Sequence, residues 1–325
     1  MGTPIRIGIV GYGNLGRGVE SAIAQNRDMT LVGIFSRRDP ASISSRAQVY
    51  SIDDVVSFKD RVDVMILCGG SATDLPEQGP AFACHFNTVD SFDTHAKIPE
   101  YFDKVNAAAV AGGNVSVIST GWDPGLFSLN RLLGQAILPQ GVDYTFWGKG
   151  VSQGHSDAIR RVPGVKAGVQ YTVPSENALA RVRAGENPVL STREKHRRDC
   201  FVVAEEGADQ AAIVEAIVNM PNYFADYDTT VTFIAEEELK RDHAAMPHGG
   251  YVLRSGKTGA DSTQLMEFSI KLSSNPEFTA SVLVAYARAA FKLAQEGAVG
   301  AKTVLDIPFA YLSPKSGAEL RKELL

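Results

Sequence analysis

The sequence predicts an α/β protein whose first third is a doubly wound parallel sheet and whose remainder is an α+β domain. In the first ~120 residues, short apolar runs alternate with helical stretches, which is typical of a parallel sheet covered by helices. The apolar runs are mostly continuous, as expected of strands buried on both faces. Beyond about residue 122 the pattern changes to strands of a mixed or antiparallel sheet with helices between them.

The elements of the first part follow from these runs. The expected strands are residues 5–10, 30–35, 62–68, 86–90 and 115–120. The first helix, residues 14–26, carries apolar residues four positions apart along one face. A second helix follows Pro99 and ends at the two glycines 112–113, because glycine favours the backbone conformation that ends a helix.

The later elements and the domain division are identified in the same way. The expected strands are residues 144–147, 169–173, 200–204 and 229–234, and the expected helices are residues 211–218 and 279–296. The pattern predicts a first domain over residues 1–121 and a second domain over residues 122–275. The C-terminal segment, residues 276–325, is expected to return and pack on the first domain.

The composition excludes several classes of protein. The 325-residue chain has 32 Lys and Arg against 37 Asp and Glu, a net charge of −5, whereas nucleic-acid-binding proteins present a broad basic face. No apolar run reaches the ~18 residues that span a bilayer, and we expect no signal peptide. The three cysteines lie far apart without a CxxC pair, which fits reduced thiols better than disulfides or a zinc site. We therefore expect a cytoplasmic protein that binds no nucleic acid, membrane or metal.

The turn after the first strand reads GYGNLG, residues 11–16. In a dinucleotide-binding fold the first glycine makes the tight turn, the second lets the backbone approach a pyrophosphate, and the third lets the helix pack on the strand. A bare GxGxxG is a weak signal, but here it follows a strand and opens a helix within a βαβ unit. This context favours a Rossmann-type nucleotide site over a glycine-rich turn without a ligand.

The end of the second strand indicates which nucleotide is bound. NAD-binding proteins carry an acidic residue there, about 20 residues beyond the glycines. This chain has Ser36, Arg37 and Arg38 instead, and a hydroxyl with two guanidinium groups suits the 2′-phosphate of NADP. Asp39 precedes Pro40 and is typical of a turn. The alternative is a solvated charge pair on a loop; the sequence favours NADP.

Other polar or glycine-rich segments are weaker candidates for ligand contacts. Segments 68–74 and 120–125 follow expected strands, at the edge where open α/β sheets bind ligands, although the Asp-Pro-Gly of the second segment is equally typical of an ordinary turn. The later clusters are residues 152–157, 196–199 and 246–250. The arginines of 196–199 suggest carboxylate recognition, and the alternative for each cluster is a surface loop.

Several longer strings carry a resemblance that covers nearly the whole chain. They are VGYGNLGR (10–17), LVGIFSRR (31–38), GSATD (70–74), STGWDPG (119–125), FWGKGVSQGHSDAIRR (146–161), VQYTVPSE (169–176), MPHGG (246–250) and NPEFTAS (275–281). With these strings the chain resembles the bacterial meso-diaminopimelate dehydrogenases. The resemblance implies a homodimer, with NADP as cofactor and a second domain that binds the substrate and dimerises.

The reaction that the resemblance implies is the reversible oxidative deamination of the D-centre of meso-2,6-diaminopimelate, a small-molecule substrate. The implied products are ammonium, NADPH and L-2-amino-6-oxopimelate, which cyclises to tetrahydrodipicolinate. In the reductive direction this reaction leads toward the precursor of lysine and peptidoglycan.

The resemblance also implies the site residues. The cofactor contacts would be Gly11, Tyr12, Gly13, Asn14, Leu15, Gly16, Ser36, Arg37, Arg38, Cys68, Gly69, Gly70, Ser71, Ala72, Thr73, Ser91, Phe92, Asp93, Thr120, Gly121, Trp122, Asp123 and Pro124. The substrate contacts would be Asp93, Asp123, Trp147, Gln153, Gly154, Thr172, Arg198, His248 and Asn275. Asp93 and Asp123 would hold the reacting ammonium and are the catalytic candidates. The proton acceptor stays open between Asp93, Asp123, His155 and a water relay.

Two other functions are alternatives to this reaction. A broader NADP-dependent D-amino-acid dehydrogenase would keep the nucleotide motifs and alter the pocket. A catalytically silent NADP-sensing protein would lose the polar pocket residues. Thr172, Arg198, His248 and Asn275 are all present, which favours the diaminopimelate reaction over both alternatives.

Overall fold

The computed structural model describes residues 3–325, which form two compact units. Unit 1 contains the residues up to Leu129 together with Pro276–Leu325, and unit 2 contains Asn130–Asn275. Within the described residues, no helix is long and apolar enough to cross a membrane. The same residues contain no cluster of three or more His, Cys, Asp or Glu side chains that could hold a metal ion.

The strands and helices are numbered here in chain order. The strands are β1 Ile5–Val10, β2 Met29–Ser36, β3 Val49–Ser51, β4 Val64–Leu67, β5 Asn87–Asp90, β6 Val115–Val117, β7 Val142–Trp147, β8 Gly150–Val151, β9 Val165–Pro174, β10 His196–Ala204, β11 Asp228–Phe233, β12 His248–Lys257, β13 Thr263–Leu272 and β14 Gly300–Lys302. The α-helices are α1 Asn14–Ala24, α2 Leu75–Ala83, α3 Ile98–Gly112, α4 Leu126–Ile137, α5 Gln153–Arg160, α6 Glu176–Arg183, α7 Thr192–Lys195, α8 Gln210–Val218, α9 Glu236–Asp242, α10 Asn275–Gln295 and α11 Gly317–Leu324.

Unit 1 is built on a seven-stranded sheet in which neighbouring strands run parallel, in the order β14-β6-β5-β4-β1-β2-β3. Side chains of α1 and α10 pack on one face of the sheet, and those of α2 and α3 pack on the other. The predicted Rossmann-type, doubly wound fold is therefore confirmed. The strand order reverses between β1 and β4, which is where open parallel sheets bind ligands.

The longer strands of this sheet are the ones that the sequence predicts. β1 occupies the predicted residues, and β2, β4 and β5 lie within two residues of the predicted bounds. β6 ends at Val117 rather than at residue 120. The edge strands β3 and β14 were not predicted, because three residues each are too few to establish a pattern. The helix α3 ends at Gly112, and the next residue, Gly113, caps it with a φ of +68° that is readily adopted only by glycine.

Unit 2 contains two smaller sheets. In the four-stranded sheet β11-β10-β9-β8, β10 runs parallel to β11 and antiparallel to β9. The three-stranded sheet β13-β12-β7 is antiparallel. The expected mixed or antiparallel pairing is confirmed, but it is divided between two sheets. The register of β9 and β10 places Thr172 opposite Arg198.

A buried arginine connects three distant parts of unit 1. Arg288 in α10 is 3% exposed, and its guanidinium donates to both carboxylate oxygens of Asp28, at 2.6 and 2.9 Å. It also donates to the carbonyl of Leu312 and to the side-chain oxygen of Asn26. The hydrogen bonds from Arg288 hold the pKa of Asp28 below its usual value. The pair therefore attaches α10 to the turn before β2 and to the C-terminal segment.

Asp28→Asn leaves the Arg288 guanidinium buried without its counter-charge, and we expect it to lower the free energy of unfolding by about 3 kcal/mol. Urea unfolding followed by tryptophan fluorescence measures this loss. In the unsubstituted protein, the contribution is present above the unfolded-state pKa of about 4, and it is lost as the pH falls through the lowered folded-state pKa.

The matched control for this variant is Glu100→Gln, which removes one partner of the exposed Glu100–Lys104 pair. It should leave the free energy of unfolding nearly unchanged, because solvent screens exposed ion pairs. Equal losses in the two variants would contradict the structural role of the buried pair.

Candidate active site

The carboxyl ends of β1, β2 and β4 surround a cavity of about 300 Å³ in unit 1. Two backbone hydrogen bonds hold the strand ends together: Gly11 N–H donates to the Phe35 carbonyl at 2.8 Å, and Cys68 N–H donates to the Val10 carbonyl at 2.7 Å. The lining residues include Gly11, Gly13, Ser36, Arg37, Arg38 and Gly69. The cavity therefore brings together the glycine turn, the arginine pair and the segment after β4.

Different physical constraints explain why glycine occupies each of the three positions in the turn. Gly11 has a φ of +88°, and a β-carbon on Gly16 would lie 2.2 Å from the Gly11 carbonyl oxygen. The fold therefore needs both residues as glycine. A β-carbon on Gly13 would meet nothing within 4 Å, and its φ of −90° suits any residue. Packing does not explain Gly13, whereas the close approach of a phosphate does. The turn and the amino end of α1 thus fit a dinucleotide.

The arginine pair contributes to the wall of the same cavity. The Arg37 guanidinium lies 2.8 Å from a carboxylate oxygen of Asp74 and is 67% exposed. The Arg38 guanidinium donates to the carbonyl of Tyr12, and its backbone N–H donates to Ser36 Oγ at 3.1 Å. Asp74 was not among the predicted site residues; its other oxygen accepts a bond from Gly70 N–H at 2.8 Å. A hydroxyl and two guanidinium groups around one cavity fit a 2′-phosphate.

Some predicted cofactor residues have side chains that point into the protein core. The Tyr12 side chain is buried and its hydroxyl donates to Glu20. Phe92 is 1% exposed and stacks on Tyr101 with ring centres 4.1 Å apart. For these two residues the backbone, and not the side chain, is available to a ligand. Burial also raises the pKa of the Cys68 thiol well above its usual value.

Hydrogen bonds connect the segments that follow β4, β5 and β6. Ser71 Oγ accepts a bond from Asp93 N–H at 2.8 Å, which joins segment 68–73 to segment 91–93. Asp90 at the end of β5 is 1% exposed, and its Oδ1 accepts bonds from Phe92 N–H at 2.9 Å and Ser119 N–H at 3.1 Å. Burial raises the pKa of Asp90 to about 6. The predicted loops around Asp93 and Asp123 are therefore held together in unit 1.

The loop after β6 folds back on itself. Gly125 has a φ of +134°, and a β-carbon there would lie 1.8 Å from the Gly121 carbonyl oxygen. The Trp122 ring meets Phe127 edge-on, with ring centres 5.2 Å apart. Trp122 is buried and Asp123 is half-buried. The Asp-Pro-Gly sequence is thus part of a packed turn at the carboxyl edge of the sheet.

In unit 2, Arg198 is a buried charge without a carboxylate partner. It is 6% exposed, its Nη1 donates to Thr172 Oγ1, and its guanidinium carbon lies 3.8 Å from the centre of the Tyr227 ring. Among the described residues it forms no ion pair, and its buried Nε–H has no hydrogen-bond acceptor. Burial lowers the pKa of Arg198, but a guanidinium remains charged at neutral pH. This arrangement is suited to binding an anion.

The two arginines of the 196–199 cluster point to opposite faces of β10. His196 and Arg198 are buried, whereas Arg197 is exposed and pairs with Asp199 at 3.2 Å. Alternate residues of a strand point to opposite faces. Only one of the two arginines suggested for carboxylate recognition therefore lies in the interior.

Two histidines lie near the predicted substrate residues in the sequence, and one of them contacts a predicted residue directly. His196 Nε2 accepts a bond from Trp147 N–H at 2.8 Å, and the two rings stack with centres 5.3 Å apart. His155 lies 2.8 Å from Ser152 Oγ and meets the rings of Tyr223 and Phe224 edge-on. Burial, together with the positive charge of Arg198, lowers the pKa of His196 to about 3 and that of His155 to about 4. Both rings are neutral at neutral pH.

The segment before β12 contacts two more predicted substrate residues. The Met246 carbonyl accepts a bond from Asn275 N–H at 2.9 Å, and its sulfur accepts one from the Gln153 side chain at 3.1 Å. His248 begins β12, and a β-carbon on Gly150 would lie 2.5 Å from its Cα. The predicted substrate residue Gly154 lies next to Gln153 in α5 and is exposed.

The predicted site residues therefore fall into two groups. The nucleotide segments, Asp93 and Asp123 belong to unit 1, whereas Trp147, Gln153, Gly154, Thr172, Arg198, His248 and Asn275 belong to unit 2. Three of the residues that support them, Asp74, His196 and Met246, lie in candidate segments that the sequence indicated without giving these residues a role. Asp90, Tyr101 and Tyr227 were missed. The alternation along β10 places His196 on the same face as Arg198, which was an available signal for its role.

Comparisons with known proteins agree with these motifs. A family model described as "Diaminopimelic acid dehydrogenase C-terminal domain" matches residues 121–274. The meso-diaminopimelate D-dehydrogenase of Ureibacillus thermosphaericus is 68% identical over 323 residues, which cover 99% of each chain.

Solved structures are similar over the same length. A meso-diaminopimelate dehydrogenase mutant of Clostridium tetani, solved with DAP, is 61% identical with a TM-score of 0.95, covering 99% of this chain and 100% of that one. An engineered D-amino acid dehydrogenase bound to NADP+ is 47% identical with a TM-score of 0.89, also covering 99% and 100%.

Because their pKa values are lowered, His155 and His196 should remain neutral from about pH 5.5 to 8, where an ordinary imidazole titrates near 6.5. Nitrogen NMR of the imidazole rings measures this, with His155→Asn and His196→Asn used to assign the signals. The signals assigned to His155 and His196 should show no titration in this range. A midpoint near 6.5 for either ring would contradict the proposed burial.

Proposed function

The chain belongs to the family of meso-diaminopimelate D-dehydrogenases, and we propose that the two groups of residues described above hold its cofactor and its substrate. The enzyme is an NADP-dependent amino-acid dehydrogenase. It catalyses the reversible oxidative deamination of the D-centre of meso-2,6-diaminopimelate to L-2-amino-6-oxopimelate and ammonium. The product cyclises to tetrahydrodipicolinate, a precursor in lysine biosynthesis.

The buried guanidinium of Arg198 is the observation that carries the proposed substrate site. A buried charge without a counter-ion is costly, and a substrate carboxylate would remove that cost. Thr172 Oγ1 accepts its bond from Arg198, so its own hydroxyl proton is available to the same carboxylate. The cation–π contact with Tyr227 fixes the plane of the guanidinium. We assign Arg198 and Thr172, with His248, to a substrate carboxylate.

The positions substituted in the Clostridium tetani mutant support the set of residues proposed for this site. Its substituted residues are, in chain order, Gln, Thr, Arg, Pro, His and Asn. The same types occur here with the same spacing, at Gln153, Thr172, Arg198, Pro247, His248 and Asn275. Five of these six are predicted substrate contacts. Trp147, oriented by His196, would cover the apolar chain of the substrate, and Asn275 would recognise the distant L-centre.

The reacting ammonium is assigned to Asp93 and Asp123. Both are in loops at the carboxyl edge of the unit 1 sheet, as are the segments proposed to hold the nucleotide. The ammonium must lose a proton before the hydrogen on the D-carbon can leave, so one carboxylate, or a water bound to it, takes that proton. We propose Asp93 as the first candidate for this proton acceptor and Asp123 as the second. The lowered pKa of His155 makes its ring a weak base, so His155 orients the loop through Ser152.

The cofactor site is the cavity between the glycine turn and the arginine pair. When bound there, NADP+ supplies the acceptor for the hydrogen of the D-carbon. Gly13 leaves room for the pyrophosphate, and Ser36, Arg37 and Arg38 hold the 2′-phosphate. The residues after β4 and β5 would contact the remainder of the nucleotide. Holding both ligands in a fixed orientation is the main contribution that the protein makes to this reaction.

We also infer a homodimer and a cytoplasmic location. Family membership supports the dimer, and so do four apolar side chains of unit 2, which are 43% to 53% exposed: Leu132, Leu133 and Ile137 in α4, and Val142 in β7. The three cysteines are free thiols, which agrees with a reducing compartment.

Replacing Arg198 should have opposite effects on substrate binding and on the stability of the fold. We expect Arg198→Met to raise the KM for meso-diaminopimelate about 100-fold or more, with little change in the KM for NADP+. Because the variant removes an unpaired buried charge, it should also raise the unfolding temperature of the ligand-free protein. Steady-state kinetics and thermal unfolding measure the two effects.

Arg197→Met is the matched control for this change, since Arg197 is in the same strand but on the exposed face. Its kinetic constants should stay within about twofold of the unsubstituted enzyme. An Arg198→Met enzyme with an unchanged KM for the substrate would remove Arg198 from the site.

The arginine pair determines the choice of nucleotide. We expect the Arg37→Ala, Arg38→Ala double variant to raise the KM for NADP+ about 100-fold and to leave the weak use of NAD+ within about threefold. Arg27→Ala, which precedes β2 at the opposite edge of the sheet, is the control. Equal losses with both nucleotides would contradict the assignment to the 2′-phosphate.

A further inference from the structure

The carboxyl group of Asp90 is bonded to both loops that carry the proposed reacting carboxylates. Its Oδ1 accepts from Phe92 N–H, in the loop of Asp93, and from Ser119 N–H, in the loop of Asp123. Its backbone carbonyl also accepts a bond from Thr120 N–H at 2.9 Å. Asp90 is thus hydrogen-bonded to the beginning of the loop after β5 and to the beginning of the loop after the neighbouring strand β6.

A helix on the face of the sheet holds Asp90 in place. Tyr101 in α3 is 3% exposed and donates its hydroxyl proton to Asp90 Oδ2 at 2.7 Å. Its ring also stacks on Phe92, within 17° of parallel. A β-carbon on Gly79 in α2 would lie 2.0 Å from the Tyr101 hydroxyl oxygen, so glycine at this position makes room for the contact. Two helices therefore contribute to the placement of one carboxyl group.

The Asp90 contact also stabilises an unfavourable backbone conformation. Ser119 has a φ of +54°, in the left-handed region that residues with a β-carbon disfavour. The N–H of Ser119 is one of the two that bond to Asp90 Oδ1. Such conformations persist where the surrounding structure fixes them, and they cluster at functional sites. Without Asp90, the loop of Asp123 would lose the bond at the residue that adopts this left-handed conformation.

We propose that Asp90, held by Tyr101, is a positioning residue that fixes the loops of Asp93 and Asp123 and acts on turnover through these two carboxylates. The proposal rests on the proposed function, in which Asp93 and Asp123 hold the reacting ammonium. Three donors point at the Asp90 carboxyl group, and hydrogen bonds of this kind favour its ionised form. Burial raises its pKa to about 6, which leaves it mostly ionised at neutral pH.

The test compares three variants by their steady-state kinetics and their thermal unfolding. Asp90→Asn keeps the shape of the side chain but replaces a charged acceptor by a weaker one with an added donor. Tyr101→Phe removes a single hydroxyl and keeps the ring stack. Thr88→Val is the matched control, because Thr88 is in the same strand and its buried hydroxyl bonds across to Ser116 in β6 at 2.8 Å. It removes a bond between the same two strands without touching either loop.

We expect Asp90→Asn to lower kcat for meso-diaminopimelate about 10- to 100-fold, since displacements of about 1 Å can cost that much. Tyr101→Phe should lower it about three- to tenfold, because the two backbone bonds to Asp90 remain. In both variants the preference for NADP+ over NAD+ should stay within about twofold, since that choice is made at the arginine pair. Thr88→Val should lower the unfolding temperature and keep kcat within about twofold.

A double-mutant cycle distinguishes positioning from a purely structural role. Because Asp90 is proposed to act through both carboxylates, adding Asp90→Asn to Asp93→Asn or to Asp123→Asn should slow turnover less than adding it to the unsubstituted enzyme. Losses that multiply fully in both backgrounds would overturn the proposal, as would an unchanged kcat in both Asp90→Asn and Tyr101→Phe. If Asp90→Asn does not fold, Tyr101→Phe replaces it in the cycle.

A wrong assignment of Asp93 and Asp123 to the reacting ammonium would give a different set of turnover rates. In that case Asp93→Asn and Asp123→Asn would each retain normal turnover, whatever the effect of Asp90→Asn. Loss of turnover in these two variants together with normal turnover in the Asp90 and Tyr101 variants would overturn the positioning role alone.

Discussion

The parallel arrangement of the seven strands in unit 1 decides where the chemistry of that unit lies. Parallel strands all end at the same edge of a sheet, so the segments after β1, β2, β4, β5 and β6 meet there although they are far apart in the sequence. The central strands themselves are largely buried. Asp90 lies at the end of β5, and its carboxyl group bonds to the loops that follow β5 and β6.

Unit 2 depends on a different constraint, which is the cost of a buried charge. Arg198 lies among Thr172, Tyr227 and the β9–β10 pair without a carboxylate partner in the described residues. A fold selected for stability alone would favour an apolar residue there. The proposed substrate site explains the arginine, because a bound carboxylate would bring the missing negative charge, at the expense of stability in its absence. The neutral ring of His196 fits the same view, because it bonds to Trp147 without adding a second positive charge.

Much of this organisation could be predicted from the sequence, because it depends on local patterns. Continuous apolar runs predicted the central strands, and the glycine turn with Ser36, Arg37 and Arg38 predicted the nucleotide site and its phosphate. β12 and β13 were missed, since two glycines follow His248 at the start of β12 and most residues of β13 are exposed. The supporting side chains were missed for another reason: Tyr101 and Asp90 meet only through packing between a helix and a strand, which no spacing in the sequence reveals.

The most direct test of the account is the rate of NADPH formation by the purified enzyme with the meso, LL and DD isomers of diaminopimelate and with simple D-amino acids, each with NADP+ and with NAD+. We expect efficient turnover of the meso isomer with NADP+, and turnover at least about 100-fold lower for D-amino acids that lack the distant L-centre. Comparable turnover of simple D-amino acids would contradict the proposed substrate site, because that site holds both ends of the substrate, with Asn275 assigned to the distant L-centre.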